Sequence, residues 1–316
     1  MDTVTNIPVG IIKDADSLRL ADLTEEERTL LINYVALKRD ITEANQLFEV
    51  FCFNLINMRN SFVFKINDTV TRTDCYPDFD SDFIAVNSLV INLISSAKTL
   101  TEFLRERANR WLGNNEDKNN KYKDKYNVYV SDIYDTSFNY RFLINLRNYM
   151  QHGYLPVSFK EGRYSFDVNQ ILDTPHFDIK GQLKTDIENF IAKLEIPGEN
   201  IACMSLTLTI ADFAVRVTGI YKNFLFYIKK CVQTSYNDVK KLIEAKPSIV
   251  CDYHEGFKGF IIYDKDEHRY HAFYSKDNPN KMMSTYEKRV SDVYKDEKQA
   301  YDELHSHLKI CTDIKL

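Results

Sequence analysis

Arg147 and His152 stand five residues apart in the run Arg147-Asn148-Tyr149-Met150-Gln151-His152, which Gly153 and Tyr154 follow. Their side chains suit chemistry on a phosphate. A guanidinium is a permanent, planar, bidentate cation that matches a phosphate or a pentavalent phosphorane. An imidazole changes protonation near neutral pH, so it can take or give the proton that such a reaction moves. The carboxamide of Asn148 can orient the imidazole or hold a phosphate oxygen. No metal-ligand cluster accompanies the three residues.

The periodicity around them predicts a helix from about Asp132 to His152, with Phe138, Phe142, Leu143, Leu146 and Met150 on its buried side. Gly153 and Pro156 end it. Arg147, Asn148 and His152 thus fall in the last turns of a helix, beside a break where side chains can face a cleft. On an ideal helix His152 is turned by roughly 140° from Arg147. A convergent site therefore needs a distorted terminus or a second protomer.

The pattern R-x-x-x-x-H with Asn after the Arg, extended by Tyr154 to R-x-x-x-x-H-x-Y, resembles the signature of the HEPN superfamily, mostly small helical ribonucleases and toxins. The resemblance covers about residues 24 to 156. It implies an antiparallel helical bundle, two protomers whose motifs meet in one RNA-cleaving cleft, and metal-independent cleavage that needs no cofactor. Arg147, Asn148 and His152 would be the catalytic residues. Tyr154 matches the tyrosine to which a partner nucleotidyltransferase attaches AMP in toxins with this motif, so it implies a regulatory or substrate-contacting position. The implied partners are RNA, a second copy of the chain, and an antitoxin or regulatory protein; the implied setting is toxin or antiphage defence. This chain is about twice the size of stand-alone toxins of that kind. The competing class is a non-catalytic HEPN-like module for dimerisation, RNA binding or protein interaction, with Arg147 a surface charge and His152 a histidine favoured by the helix C-terminus.

Composition narrows the setting. The 316 residues are 44% hydrophobic, enough for one large core or two modest ones. With a formal net charge of -5, the chain lacks the basic footprint of a protein that holds nucleic acid by bulk electrostatics, so any RNA contact must be local. The start has no basic region followed by an apolar core, no run of eighteen apolar residues occurs, and the six cysteines show no C-x-x-C pair. These features lead us to expect buried free thiols and a cytoplasmic protein without a membrane span.

The expected fold is mainly α: an HEPN-like bundle over residues 1–156, a helical extension with a short hairpin over 157–247, and a small β-β-β-α module over 248–316. Thr24-Glu25-Glu26-Glu27 is a capping box that opens the first helix, and a second should run from Thr42 to Asn60. A strand-like stretch at 61–70 and an Asp-rich connector at 74–82 precede a long helix over Phe83–Leu112. The polar run 113–125 reads as a loop. Phe159–Tyr164 reads as a hairpin; helices follow at Gln182–Leu194, Asn200–Val232 and Asn237–Ala245. Phe257–Tyr263 and Arg269–Tyr274 form another hairpin, Lys288–Tyr294 a third strand, and Asp296–Leu308 a closing helix.

Two further groups invite a functional reading. Arg105, Arg107 and Arg110 either complement the dipole at the end of the long helix or form part of an RNA-binding rim. Cys251, His254 and Glu255 with His305 and His307 would make a zinc site only if the two regions met, whereas His268 and His271 read as surface or packing positions. There is no glycine-rich phosphate loop and no G-x-S-x-G elbow.

Overall fold

The computed structural model describes residues 23–61, 79–113, 120–160, 163–174, 181–193, 203–247, 251–254, 257–264, 269–274 and 279–313. Along them run α1 (Glu25–Asn60), α2 (Phe79–Leu112), α3 (Asn120–Thr136), α4 (Phe138–Gln151), β1 (Ser158–Lys160), β2 (Arg163–Asp167), α5 (Val168–Leu172), α6 (Gln182–Lys193), β3 (Cys203–Ser205), α7 (Leu206–Ala245), β4 (Cys251–His254), β5 (Phe257–Asp264), β6 (Arg269–Tyr274) and α8 (Pro279–Asp313). The chain is mainly helical, as the patterning requires.

At the start of α1, Thr24 Oγ1 accepts from Glu27 N at 3.3 Å and the Glu27 carboxylate accepts from Thr24 N at 2.8 Å, the reciprocal pair of a capping box. The helix then runs unbroken to Asn60 instead of dividing near Thr42. No glycine or proline interrupts it, and the Thr42 hydroxyl donates back to Lys38 O at 3.0 Å, within the helical turn. The two helices expected over 200–232 and 237–245 are likewise one. Ser205 ends β3 and caps α7, whose 40 residues, about 60 Å at the α-helical rise, continue through Gln233–Tyr236 because nothing there breaks a helix.

Between Leu206 and Tyr221 every residue of α7 is buried or half-buried, the mark of a helix at the centre of a bundle. α1, α2, α3, α4 and α8 all pack on it. Polar pairs fix the directions. α1 runs antiparallel to α7, since Glu27 meets Lys246 at 2.7 Å and Asn45 meets Tyr221 at 3.2 Å. α8 is also antiparallel to α7: Glu287 pairs with Lys229 at 2.7 Å, and Tyr294 lies 4.8 Å beneath the Lys222 ammonium. α2 opposes α1, joined by Trp111 to Asp40 at 2.8 Å and Asn54 to Asn92 at 3.5 Å.

The strand expected at Lys288–Tyr294 is part of α8. Met283, Val290 and Val293 are buried at helical spacing, so tertiary burial overrides the short alternation that suggested a strand. They join an apolar cluster that also holds Leu37, Phe142, Phe166 and Phe224, and so crosses the sequence-drawn boundaries at 156 and 247. Both expected hairpins form. β1 pairs with β2 with Phe159 opposite Tyr164, and β3 adds to the other edge of β2. β5 pairs antiparallel with β4 and β6, and β5 and β6 run against α1.

α2 starts at Phe79 and α3 at Asn120, so helix replaces the ends of the Asp-rich connector and of the polar loop; 62–78 and 114–119 lie outside the described residues. By length and composition Asp82–Leu112 could cross a membrane; here its most apolar side, including Val86, Val90, Leu93, Ile94 and Leu100, is buried in the bundle. Cys52 and Cys231 are free buried thiols, and burial pushes Cys52 up to about 12.

α8 closes against the end of α1 through Arg59, whose guanidinium meets Glu297 at 2.5 Å. Burial outweighs that cation and pushes the Glu297 carboxyl up to about 7. A carboxyl raised on folding contributes stability that is fully present below its ordinary value of 4.5 and is lost as the pH rises through 7. Glu297→Gln should therefore gain on wild type, by on the order of 2–3 kcal/mol, between pH 5 and pH 8 in urea melts. Parallel pH profiles for the two proteins would refute this.

Candidate active site

The helix that carries the motif is set at its start by Ser137. Where one helix was expected from Asp132 to His152, Ser137 turns extended (φ -99°, ψ 106°) and separates α3 from α4. Its hydroxyl accepts from Tyr140 N at 3.2 Å, capping α4, and donates to Asp212 at 2.9 Å. Asn139 donates to the same carboxylate oxygen at 3.1 Å, and Arg216 Nε to the other at 3.0 Å. Asp212 is a buried residue of α7, and these donors satisfy both of its oxygens.

Along α4, Phe142, Leu143 and Leu146 are buried as the pattern predicts, together with Tyr140, Ile144 and Tyr149. Phe138 and Met150 are half-buried. Arg141 is buried too, its guanidinium donating to Tyr134 O and to the Asp186 carboxylate of α6.

At the other end His152 is the C-cap, and its N–H donates to Tyr149 O at 3.2 Å. Gly153 N donates to Met150 O at 3.0 Å from a left-handed backbone, φ 85°. Nothing lies within 4 Å of where a Gly153 Cβ would be, so conformation and not space selects glycine. Tyr154 then folds back and stacks on Tyr149 at 5.1 Å, and burial raises the Tyr149 phenol. Three residues on, the buried Asn87 of α2 clamps Val157. Its Oδ1 accepts from Val157 N at 2.9 Å, and its Nδ2 donates to Val157 O at 3.2 Å and to Phe83 O at 3.1 Å. The carboxamide thus pairs with Val157 as a strand neighbour would.

Between these two anchors the motif is open. Arg147 is half-buried, Asn148 and His152 are exposed, and Tyr154 is half-buried. Arg39, Arg59, Arg107, Arg141 and Arg216, the other half-buried or buried arginines whose ion pairs are described, each lie beside a carboxylate. Among the described residues none bonds to the Arg147 guanidinium. The structure thus brings Arg147, Asn148 and His152 to one helix end without an ion pair or hydrogen bond joining Arg147 to His152 within the chain.

The second arginine group is arranged differently. Arg107 lies 3.3 Å and Arg110 3.7 Å from the buried Asp40 carboxylate, which also accepts from Trp111. Arg107 further stacks over Phe103 and Arg110 over Trp111. Arg105 is exposed. Glu255, His268 and the side chains of Cys251, His254, His271 and His307 lie outside the described residues; among those described, no three His, Cys, Asp or Glu gather as a metal site.

Sequence reasoning missed Ser137, Asp212 and Asn87. Asp212, a lone carboxylate in the apolar run Leu206–Val217, is the one that left a signal. No protein-family model, curated protein or solved structure matches the chain.

Asn87→Leu keeps the volume but strips the buried Val157 N–H and C=O of their partners, which should cost about 1–3 kcal/mol in chemical denaturation. Gly153→Ala should cost about 1 kcal/mol through its left-handed backbone. An Asn87→Leu variant as stable as wild type would show that Val157 does not depend on the clamp.

Proposed function

We propose that the protein is a metal-independent endoribonuclease of the HEPN type, acting as a homodimer in toxin or antiphage defence. The observation that carries this reading is Arg147: a half-buried guanidinium with no bonded partner among the described residues, five residues from an exposed histidine at the same helix end. A buried or half-buried arginine is ordinarily paired, so this one is suited to an anion that arrives with a ligand.

In the reaction the ribose 2′-OH attacks the adjacent phosphorus and the P–O5′ bond breaks. The products are a 2′,3′-cyclic phosphate and a 5′-hydroxyl. His152 takes the 2′-OH proton or returns one to the departing 5′-oxygen, and the second protomer's histidine can perform the complementary transfer. Arg147 stabilises the charge that builds on the phosphorane, and Asn148 orients the imidazole or a phosphate oxygen. Tyr154, stacked on Tyr149 beside the motif, is the position at which an attached nucleotide would add bulk and negative charge against substrate.

Purified protein incubated with mixed cellular RNA in EDTA should release fragments ending in 2′,3′-cyclic phosphate. Arg147→Ala and His152→Ala should each slow cleavage by about 100-fold or more with unchanged thermal melts. Cleavage that EDTA abolishes, or that both variants retain, would place the chemistry elsewhere. A wild type without cleavage would favour the non-catalytic binding module.

A further inference from the structure

The central helix α7 reaches the surface along one strip between α3 and α8. At Gly219 the two flanking helices meet over it: a Cβ there would lie 2.8 Å from the Tyr129 hydroxyl oxygen and 3.5 Å from a Tyr294 ring carbon. One turn further the cover ends. Lys222, Phe226 and Lys230 are exposed, Phe226 at 67%. They recur at every fourth residue, so they share one face of the helix and span about 12 Å along its axis.

The strip is basic although the chain is acidic. Between Asp212 and Asp238, α7 carries Arg216, Lys222, Lys229 and Lys230 and no carboxylate. Asp212 takes Arg216, and Glu287 takes Lys229. Among the described residues no carboxylate pairs with Lys222 or Lys230. Each lies instead over a tyrosine ring, Lys222 over Tyr294 of α8 at 4.8 Å and Lys230 over Tyr122 of α3 at 5.7 Å. A ring places an ammonium without neutralising it. Tyr227 links the set, edge-on to Phe226 at 5.1 Å and 5.9 Å from Tyr122.

We propose that the Lys222–Phe226–Lys230 strip binds single-stranded nucleic acid, with the lysines on phosphates and Phe226 stacked on a base. Unneutralised cations beside an exposed ring offer what an unpaired strand presents, a charged backbone and open base faces. A duplex keeps its base faces stacked and would meet only the lysines. A helix that lies on a membrane shows a whole apolar face, whereas Phe226 is the one large apolar side chain of α7 that is exposed. The strip lies on a different helix from the Arg147–His152 motif and stands independently of the ribonuclease reading.

The test is fluorescence anisotropy of the full chain with a labelled single-stranded DNA of about twelve nucleotides. DNA lacks the 2′-OH that the cleavage reaction needs, so the probe reports binding alone. Wild type should saturate it between about 1 and 100 µM at low salt. Phe226→Ala should weaken binding by about 10-fold or more with its salt dependence unchanged, and Phe226→Trp should retain it. Lys222→Gln and Lys230→Gln should each take about 0.7 from the slope of log affinity against log salt. These positions are exposed, so melting should be unchanged in all four variants. No binding by wild type in that range, an affinity that Phe226→Ala leaves intact, or an equal affinity for the same strand in a duplex would overturn the proposal. So would Phe226-dependent flotation with phosphatidylglycerol vesicles in place of strand binding, which would assign the strip to a membrane. RNA cleavage separates the two readings. Strand binding without cleavage supports the strip and counts against the ribonuclease alone, whereas cleavage by a wild type that does not bind the probe overturns the strip alone.

Discussion

A carboxylate buried in the central helix decides where the motif-bearing helix begins. Asp212 lies inside α7, and a buried charge without partners would cost several kcal/mol. Ser137, Asn139 and Arg216 supply the missing hydrogen bonds, two of them from the residues that end the α3–α4 corner and open α4. The corner is therefore held at one height along α7. The α4 helix is 14 residues long, so fixing its first turn also fixes the height of Arg147 and His152.

Asn87 completes the arrangement from the opposite side. A carboxamide offers a donor and an acceptor side by side on one planar group, which is what a lone backbone N–H and C=O require. Aspartate in its place would turn a second acceptor toward Val157 O. With α4 held by Asp212 and its exit held by Asn87, the intervening turn at His152–Tyr154 is confined although His152 is exposed. A preorganised site needs that combination: open side chains on a backbone that cannot drift.

Helix positions were legible where burial follows the 3.6-residue period, as in Phe142, Leu143 and Leu146, and so was the strand pairing of both hairpins. Breaks and continuities were less so. Nothing local distinguishes the corner at Ser137 from the uninterrupted passage through Thr42, because both residues are hydroxylic and lie in a helical pattern. The difference is Asp212, 75 residues away, which gives Ser137 a partner for its hydroxyl hydrogen. The α8 helix was obscured because Val290 and Val293 are too few apolar residues to show a period until α7 is known to lie beneath them. At the candidate site the residue types were legible, whereas the two anchors depend on contacts remote in sequence.

The same long-range pairing decides which arginines of this acidic chain are neutralised by a carboxylate. The arginine-rich end of α2 looked basic, yet Asp40, hidden 67 residues before Arg107, draws Arg107 and Arg110 onto itself. Arg141 is spent likewise on Asp186, and Arg216 on Asp212. Of these arginines, Arg107 and Arg110 read from the sequence as possible RNA contacts. Folding sorts them by whether a carboxylate lies within reach, and Arg147, half-buried at a pinned helix end, has no bonded partner among the described residues. Under the ribonuclease reading proposed above, a net charge of -5 means that the phosphate contact must be local.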